Sequence, residues 1–316
     1  MTKSKNLLDV YLGEHLARYG FDQGHPFSLA RHDAFSEEFY HENLFQSVNL
    51  KKPVLSEPST IELFHEKEYV DFVKNRSIHG GGYLDRGDTP AFKGVFEAAS
   101  FVVGSALDGV ESIMSNQCRR VFVPIGGLHH ARREGAAGFC VFNDCGVAIE
   151  YLFKKYHLQR IAYVDIDAHH GDGVYYGFES NPGLIFADIH ESGRTLYPGT
   201  GFAHEKGKNE AEGKKLNIEM EMGASDNDFF AAWSKVENFI VRHEPQFIIF
   251  QCGADSIAGD PLTHLNYSPE AHKFAAKQLK SIAEDYCEGR VLALGGGGYN
   301  LNNIKKAWTS VVKSLI

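Results

Sequence analysis

The sequence predicts an α/β fold, an open parallel β-sheet with helices on both faces and a functional site at the carboxyl-terminal rim of its strands. Short runs rich in Val, Ile and Phe recur in the last two thirds of the chain, and they are apolar throughout, as strands covered on both faces are. Helical stretches separate several of these runs, which favours parallel strands. The clearest runs end in Gly, His or Asp, and such residues converge beyond the carboxyl ends of parallel strands.

The chain divides into a helical first part and an alternating second part. Helices are predicted within segments 6–19, 58–75 and 91–114, and the glycine tract at 80–83 is predicted to be a loop. Strands are predicted within six later segments: 119–127, 159–170, 183–191, 215–221, 245–255 and 289–298. Helices are predicted between them within segments 145–156, 226–243 and 268–287. No repeat or long linker interrupts this order, so residues 1–316 are expected to form a single domain.

Composition narrows the class of protein. The chain is 43% hydrophobic and 23% charged, as ordinary globular proteins are, and no run approaches the roughly 18 apolar residues of a membrane span. The first twenty residues mix charged residues among apolar ones, which argues against a signal peptide and predicts a cytoplasmic protein with no membrane partner. The net charge is −9 and no long basic run is present, so no nucleic-acid partner is expected. Without an obvious coiled coil, the sequence leans towards a monomer.

The cysteines indicate neither a disulfide framework nor a cysteine-rich zinc site. There are five of them, an odd number, and no pair has the C-x-x-C spacing. Reduced, structural thiols are therefore expected.

The strongest chemical signal is the segment 165–172, in which acids and histidines follow an apolar run directly. Burying them would be costly unless a metal or paired charges compensated. In an extended chain Asp167 and His169 would point to one face, and Asp255, at the end of another run, is the best third ligand. Two carboxylates and one imidazole fit a catalytic zinc site, although iron(II) or manganese accepts the same donors.

Histidines at a second strand end suggest acid–base chemistry. His129 and His130 follow two glycines, and Asp165 and Asp172 are left over to orient them. Such pairs supply a base for an attacking water and an acid for a leaving amine. Tyr299 follows four glycines that let the backbone approach the site, and its phenol can donate to a developing oxyanion.

Together these motifs resemble those of the histone deacetylase and acetoin-utilisation family of zinc deacylases. The similarity covers most of the chain and keeps the family order. It lies in the segments 24–31, 87–92, 126–144, 163–174, 196–201, 251–262 and 292–300. The resemblance implies an arginase-like fold and a zinc-dependent deacetylase, a hydrolase of linear amides.

The resemblance also implies roles for individual residues. The zinc ligands would be Asp167, His169 and Asp255. His130, paired with Asp172, would be the general base, and His129, paired with Asp165, its electrostatic partner. Tyr299 would polarise the acyl carbonyl. Further positions match the family's substrate-binding residues, with Phe139 and Tyr197 as the aromatic walls of the channel and Asp88 at its rim. These positions are Gly138, Phe139, Tyr197, Leu262, Asp88 and Arg31, the last in an internal acetate-release passage.

A potassium site is a further implication of the resemblance. It would involve Asp165, Asp188 and Ile189, where Asp188 replaces the family's usual serine. Two more departures lie near the rim, since Glu191 replaces a common cationic residue and Leu196 a frequent aromatic one. They bear on the substrate rather than on the chemistry.

The expected reaction is zinc-dependent hydrolysis of an acyl-amide, foremost Nε-acetyl-lysine in a peptide or protein, with a small acyl-amine as the alternative substrate. Hydroxamate inhibitors are expected to bind. Three other interpretations stay open at this point: a two-manganese ureohydrolase of arginase type, an acyl-lysine binding protein without turnover, and an acetylpolyamine hydrolase.

Overall fold

A computed structural model describes residues 7–22 and 24–316. Within these ranges one sheet of eight parallel strands forms the centre of the molecule, in the order β2-β1-β3-β8-β7-β4-β5-β6. The strands are β1 (Leu8–Tyr11), β2 (Asn49–Lys51), β3 (Arg120–Val123), β4 (Ile161–Asp165), β5 (Leu184–Glu191), β6 (Lys215–Met220), β7 (Phe247–Gln251) and β8 (Val291–Leu294). The predicted parallel sheet is confirmed.

Ten α-helices accompany the sheet in the described residues. They are α1 (Glu14–Ala17), α2 (Ala30–His41), α3 (Pro58–Ile61), α4 (Lys67–His79), α5 (Val95–Met114), α6 (Asp144–Tyr156), α7 (Asp172–Gly177), α8 (Asp226–Val241), α9 (Pro269–Tyr286) and α10 (Leu301–Leu315). Short 3-10 helices span Leu44–Gln46, Asn209–Ala211 and Ala254–Ser256. None of the helices in the described ranges is long and apolar enough to cross a membrane.

Helices cover both faces of the sheet, as two neighbouring residues of β3 demonstrate. Successive side chains of a strand point to opposite faces. Val121 points to α5, where a side chain at Gly109 would meet it at 2.7 Å. Phe122 points the other way and packs against Phe35 of α2 and Trp308 of α10, with ring centroids 5.2 and 6.2 Å apart. The central strands are buried throughout, which explains why their sequences are apolar without alternation.

Local sequence sets where the main helices begin. Ser225 and Asp228 form a capping box at the start of α8. Asn300 caps α10 by accepting hydrogen bonds from the next turn, and Pro269 occupies the first turn of α9, where it needs no donor. The cap at Asn300 immediately follows Tyr299, so it also fixes the backbone that carries this side chain.

The prediction of a continuous helix over residues 6–19 was wrong. The described part of this segment contains strand β1, and only Glu14–Ala17 is helical. The four residues of β1 are all buried, and they pair with β2 on one side and β3 on the other. Sheet pairing therefore overrides the local helical pattern. The predicted helix over 58–75 is interrupted between α3 and α4, whereas the helix within 91–114 is confirmed as α5.

The sheet order brings the chemical residues to one rim. Strands β3, β8, β7 and β4 are neighbours at the centre of the sheet, and all run in the same direction. The two adjacent histidines follow β3, and Tyr299 follows β8. Asp255 follows β7, and the pair Asp167 and His169 follows β4. Residues from four separate parts of the sequence thus meet beyond the carboxyl ends of four adjacent strands.

Candidate active site

Asp167, His169 and Asp255 converge on one point at this rim. Their ligand atoms all lie within 4.8 Å of one another, and the three residues are buried. Nδ1 of His169 is 3.0 Å from Oδ1 of Asp167 and 3.2 Å from Oδ2 of Asp255. Two carboxylates and one imidazole nitrogen are donors that zinc accepts in proteins, so this cluster could hold a metal ion.

The backbone around these ligands is not extended as the sequence led us to expect. Strand β4 ends at Asp165, and the chain then turns. The Asp165 carboxylate accepts a hydrogen bond from the Asp167 backbone N–H at 3.1 Å, and the Asp167 carboxylate accepts one from the His169 N–H at 3.0 Å. These bonds between side chain and backbone fold the segment into consecutive turns. The turns bring the side chains of Asp167 and His169 together, as expected, but not by the extended backbone that the sequence suggested. Their role as zinc ligands stays a prediction.

The surroundings of the cluster suit a divalent cation. Burial and the neighbouring Asp167 carboxylate raise the pKa of Asp255 to about 7. A bound cation would keep both carboxylates ionised, because its charge is the largest local one. A side chain at Gly253 would collide with the Asp167 carboxylate, and one at Gly297 with that of Asp255. Glycine at these two positions lets the backbone close around the site without filling it.

Each of the two adjacent histidines faces a buried carboxylate. Nδ1 of His129 is 2.8 Å from Asp165, and Nδ1 of His130 is 2.7 Å from Asp172. Their Nε2 atoms are 3.1 Å apart. Because each Nδ1 carries its proton towards a carboxylate, one further proton between the two Nε2 atoms satisfies both rings. The carboxylate pairing predicted from the sequence is present.

The surroundings of the two rings shift their pKa values in opposite directions. Burial opposes the charged form of this ring, but Asp165 and Asp167 outweigh burial and raise its pKa to about 9. Burial, together with the charge on His129, lowers the pKa of His130 to about 4 despite its contact with Asp172. His129 is therefore the more basic ring, and the surroundings favour a cation at His129 and a neutral imidazole at His130.

Tyr299 stands at the edge of the same site. Its backbone N–H donates to the carboxylate of Asp260 at 2.8 Å, which fixes the start of the turn into α10. Its ring meets Phe139 edge-on at 5.8 Å. Among the described residues none forms a hydrogen bond with its hydroxyl, which leaves this donor available to a ligand. Burial and the Asp255 and Asp167 carboxylates raise the phenol's pKa well above its ordinary value, so the group keeps its proton.

Aromatic rings surround the approach to the cluster. Phe139 packs against Tyr299 and His25, and the Tyr197 ring lies 5.1 Å from that of His130 and 6.4 Å from that of His169. Phe139 follows Gly138, whose φ of 53° is in the left-handed region and where any side chain would strike the His130 ring. Tyr197 is 43% exposed, so its hydroxyl end reaches solvent.

Arg31 lies fully buried behind this arrangement. It donates to the carbonyl oxygens of Gly298 at 2.8 Å and Gly296 at 2.5 Å, and its guanidinium packs 3.8 Å from the centre of the Phe27 ring. Within the described residues its Nη1 has no hydrogen-bond partner. A cavity of about 10 Å³ between Phe27, His130 and Tyr299 leaves room for about one water molecule.

The other predicted substrate residues lie further out. Asp88 is exposed in the loop after α4; its carbonyl is 3.1 Å from the His25 ring and its carboxylate accepts from Thr89. Partial desolvation of its carboxylate and the nearby Asp85 raise the pKa of Asp88 to about 6. Leu262 is partly exposed, and its N–H donates to Asp260 at 3.0 Å.

At the predicted potassium site, Asp188 already has partners. Its carboxylate accepts from the Gly171 N–H at 2.9 Å and lies 2.7 Å from Nδ1 of His190. Ile189 is buried beside it on β5. The acid that replaces the family's serine is therefore engaged with a histidine, and potassium binding stays a prediction.

Several residues that support the site were missed from the sequence. Gln251 donates to Asp167 at 2.8 Å, and the Tyr163 hydroxyl donates to Asp165 at 2.6 Å. Arg132 donates to Asp172 at 3.3 Å, and Asp144 accepts from the N–H groups of Gly127 and Leu128, just before the histidines. A polar residue within an apolar run was the available signal for Gln251.

A wider cleft of about 890 Å³ lies beside the site, between residues 15–29 and 81–101. Neither the metal cluster nor the two histidines line it, although His25 borders it and touches Phe139. We place the chemistry at the narrow site because the titratable groups converge there.

Comparison with known proteins identifies the family of this chain. The histone deacetylase domain model matches residues 25–315. The acetoin utilization protein AcuC of Bacillus subtilis (strain 168) is 37% identical over 302 residues, which are 93% of this chain and 78% of that protein. AcuC of Staphylococcus xylosus is 32% identical over 317 residues, 97% of this chain and 82% of that protein. The crystal structure of the HDA15 HD domain superposes with a TM-score of 0.90 at 27% identity, covering 99% of this chain and 88% of that one.

These findings confirm the resemblance that the motifs predicted and decide against the ureohydrolase and non-catalytic alternatives. Zinc dependence is a property of the family. The chain belongs to the histone deacetylase domain family and is a hydrolase of the deacetylase type.

Proposed function

We propose that this protein hydrolyses Nε-acetyl-lysine amides with a single Zn²⁺ held by Asp167, His169 and Asp255. The observation that carries the proposal is the meeting of this donor set with a carboxylate-paired histidine dyad and a phenol without a protein partner. The described chain would act as one catalytic domain, since a single sheet supplies every part of the site.

The metal would supply two effects to the reaction. Zinc bound to these three residues supplies Lewis acidity towards the acyl carbonyl and lowers the pKa of a water molecule at the site. Gln251 supports this role because its amide donates to the Asp167 oxygen that does not face His169 and so orients the carboxylate.

The protein's own groups would move the protons. His130 would keep its Nδ1 proton towards Asp172. Its Nε2 would exchange its contact with Nε2 of His129 for one with the attacking water, take a proton from that water and then pass the proton to the leaving amine. His129 stays cationic against Asp165 and stabilises the negative charge that develops beside it. Tyr299 donates a hydrogen bond to the carbonyl oxygen as it becomes an oxyanion.

The substrate chain would lie between Phe139 and Tyr197, whose rings flank Tyr299 and His130. Asp88 would accept a hydrogen bond from the substrate backbone at the rim, and Leu262 would complete the wall. The cavity of about 10 Å³ between Phe27, His130 and Tyr299 supports an acetyl group rather than longer acyl groups, because it has room for little more than a methyl group. Arg31, with its unpartnered Nη1, would attract the acetate product.

Purified protein loaded with zinc should be assayed on a panel of amides. The proposal expects turnover of acetyl-lysine peptides, inhibited by a hydroxamate. Faster turnover of acetylpolyamines than of acetyl-lysine peptides would refute the lysine assignment while leaving deacetylation intact. Absence of turnover of every acyl-amine by zinc-loaded protein would refute the proposal as a whole.

A further inference from the structure

Glu191 connects two segments that border the proposed substrate channel. It is the last residue of β5 and only 1% exposed. One carboxylate oxygen lies 2.9 Å from Nδ1 of His264 and 3.0 Å from the Thr195 hydroxyl, which donates to it or to the Ser192 carbonyl at 3.1 Å. The other oxygen accepts the His264 backbone N–H at 2.9 Å. A single buried acid thus holds two loops that are far apart in sequence.

The first of these loops carries Tyr197. Thr195 lies two residues before it, in a turn in which the Thr195 and Leu196 N–H groups donate to the Ser192 carbonyl at 2.9 and 3.1 Å. The Tyr197 ring then packs on His130 at 5.1 Å. Movement of the Thr195 end of this turn would therefore move an aromatic wall of the channel.

The second loop carries Leu262. His264 follows it by two residues, and the intervening Thr263 donates its hydroxyl to the Asp255 carbonyl. At the other end of the loop Asp260 accepts the Tyr299 N–H at 2.8 Å. The bond from His264 to Glu191 joins this loop to the opposite wall.

The backbone of Glu191 is fixed against the metal ligands. Its N–H donates at 2.9 Å to the carbonyl of Ala168, which lies between Asp167 and His169. We propose that Glu191 is a positioning residue that sets the separation of the Tyr197 and Leu262 walls and so the fit of the substrate's aliphatic chain. An acid suits this position because a carboxylate accepts several donors at once, whereas a glutamine offers only one acceptor oxygen.

This inference rests on the proposed function, and a comparison of two ligands tests it. Acetohydroxamate carries the metal-binding group but has no chain to place between the walls, whereas a hydroxamate with a long aliphatic linker and an aryl cap would pass between them. We would measure both dissociation constants by calorimetry on zinc-loaded wild type, Glu191→Ala, Glu191→Gln and Thr195→Val. Glu111→Ala is the matched control, since it removes a carboxylate that accepts from Tyr151 and Lys155 elsewhere on the surface.

Glu191→Ala should weaken the long hydroxamate about ten-fold, the loss expected for bonds to a buried charge, and should change acetohydroxamate less than about two-fold. The Michaelis constant for an acetyl-lysine peptide should rise more than kcat falls. Glu191→Gln and Thr195→Val should show the same selective loss at about three-fold. Thr195→Val removes only one arm of the contact, so it tests the inference even if Glu191→Ala fails to fold.

Equal weakening of both ligands would overturn the inference, because it would place the defect at the metal or in the fold as a whole. Unchanged binding of the long hydroxamate in Glu191→Ala would also overturn it. These outcomes are distinct from failure of the proposed function, in which zinc-loaded wild type itself would bind neither hydroxamate.

Discussion

Among changes at the site, Tyr299→Phe best separates an effect on catalysis from an effect on folding stability. The substitution removes one oxygen atom and keeps the ring that packs against Phe139. Because no described residue bonds to that hydroxyl, the free energy of unfolding should change by less than about 0.5 kcal/mol. The backbone bond from Tyr299 to Asp260 is unaffected by the change, so the loop should keep its position.

The catalytic cost should be large. Loss of one oxyanion donor typically costs about 100- to 1000-fold in kcat, or about 2.7–4 kcal/mol of transition-state stabilisation. The assay is steady-state hydrolysis of an acetyl-lysine peptide, with zinc content and urea unfolding measured on the same preparation. Tyr11→Phe is the matched control. Its hydroxyl donates to Asp108 of α5 at 2.5 Å, so the variant should lose about 1–3 kcal/mol of stability while turnover is kept.

Two results would refute this reasoning. Turnover by Tyr299→Phe within about five-fold of wild type would show that the phenol does not stabilise the transition state. A loss of stability or zinc comparable to the loss of activity would show that the hydroxyl has a structural partner.

Four further outcomes are expected. Asp172→Asn should lower kcat about 100- to 10,000-fold at constant zinc content, because an amide cannot hold the His130 tautomer; near-normal kcat would refute the base assignment. Replacing acetyl by butyryl on the same peptide should lower kcat/KM at least about ten-fold, since the cavity of about 10 Å³ has no room for two more carbons; equal rates would contradict that limit. Zinc should raise Tm by an amount that grows with its concentration, measured by thermal unfolding of chelator-treated protein, and a constant Tm would argue against binding to the folded state. Burial lowers the pKa of Lys215 to about 7, so between pH 7 and the ordinary lysine value of 10.5 the unfolded chain binds more protons than the folded one. The stability that this group contributes must therefore rise with pH in that window. Urea unfolding at pH 7 and 9 should show a smaller rise in the free energy of unfolding for Lys215→Met than for wild type.

Sequence patterns predicted the centre of the sheet and failed at one edge. Each of the six apolar segments assigned as strands contains one of β3 to β8. β1 was missed because its four residues include Asp9, a buried acid that accepts the Ser112 hydroxyl at 2.6 Å. β2 is three residues long and only partly buried, so no apolar run marks it. Both strands depend on pairing with distant residues, which local periodicity does not report.

Some residues of the site could likewise be predicted from the sequence, whereas others could not. The residues proposed as zinc ligands, the histidine dyad and Tyr299 stand out because polar groups directly follow apolar runs. Their supporting partners do not, since Arg132 meets Asp172 across 40 positions and Glu191 meets His264 across 73. The turns that fold Asp167 onto His169 depend on bonds between side chains and backbone N–H groups, and an alternating pattern of residues does not reveal them.

The most direct test of the account is a zinc titration of the chelator-treated protein, followed by turnover of an acetyl-lysine peptide and by metal analysis. The account predicts that activity rises linearly to a plateau at one zinc per chain, and that Asp255→Asn neither retains stoichiometric zinc nor turns over. A plateau at two metals per chain, or full activity in the metal-free protein, would contradict it.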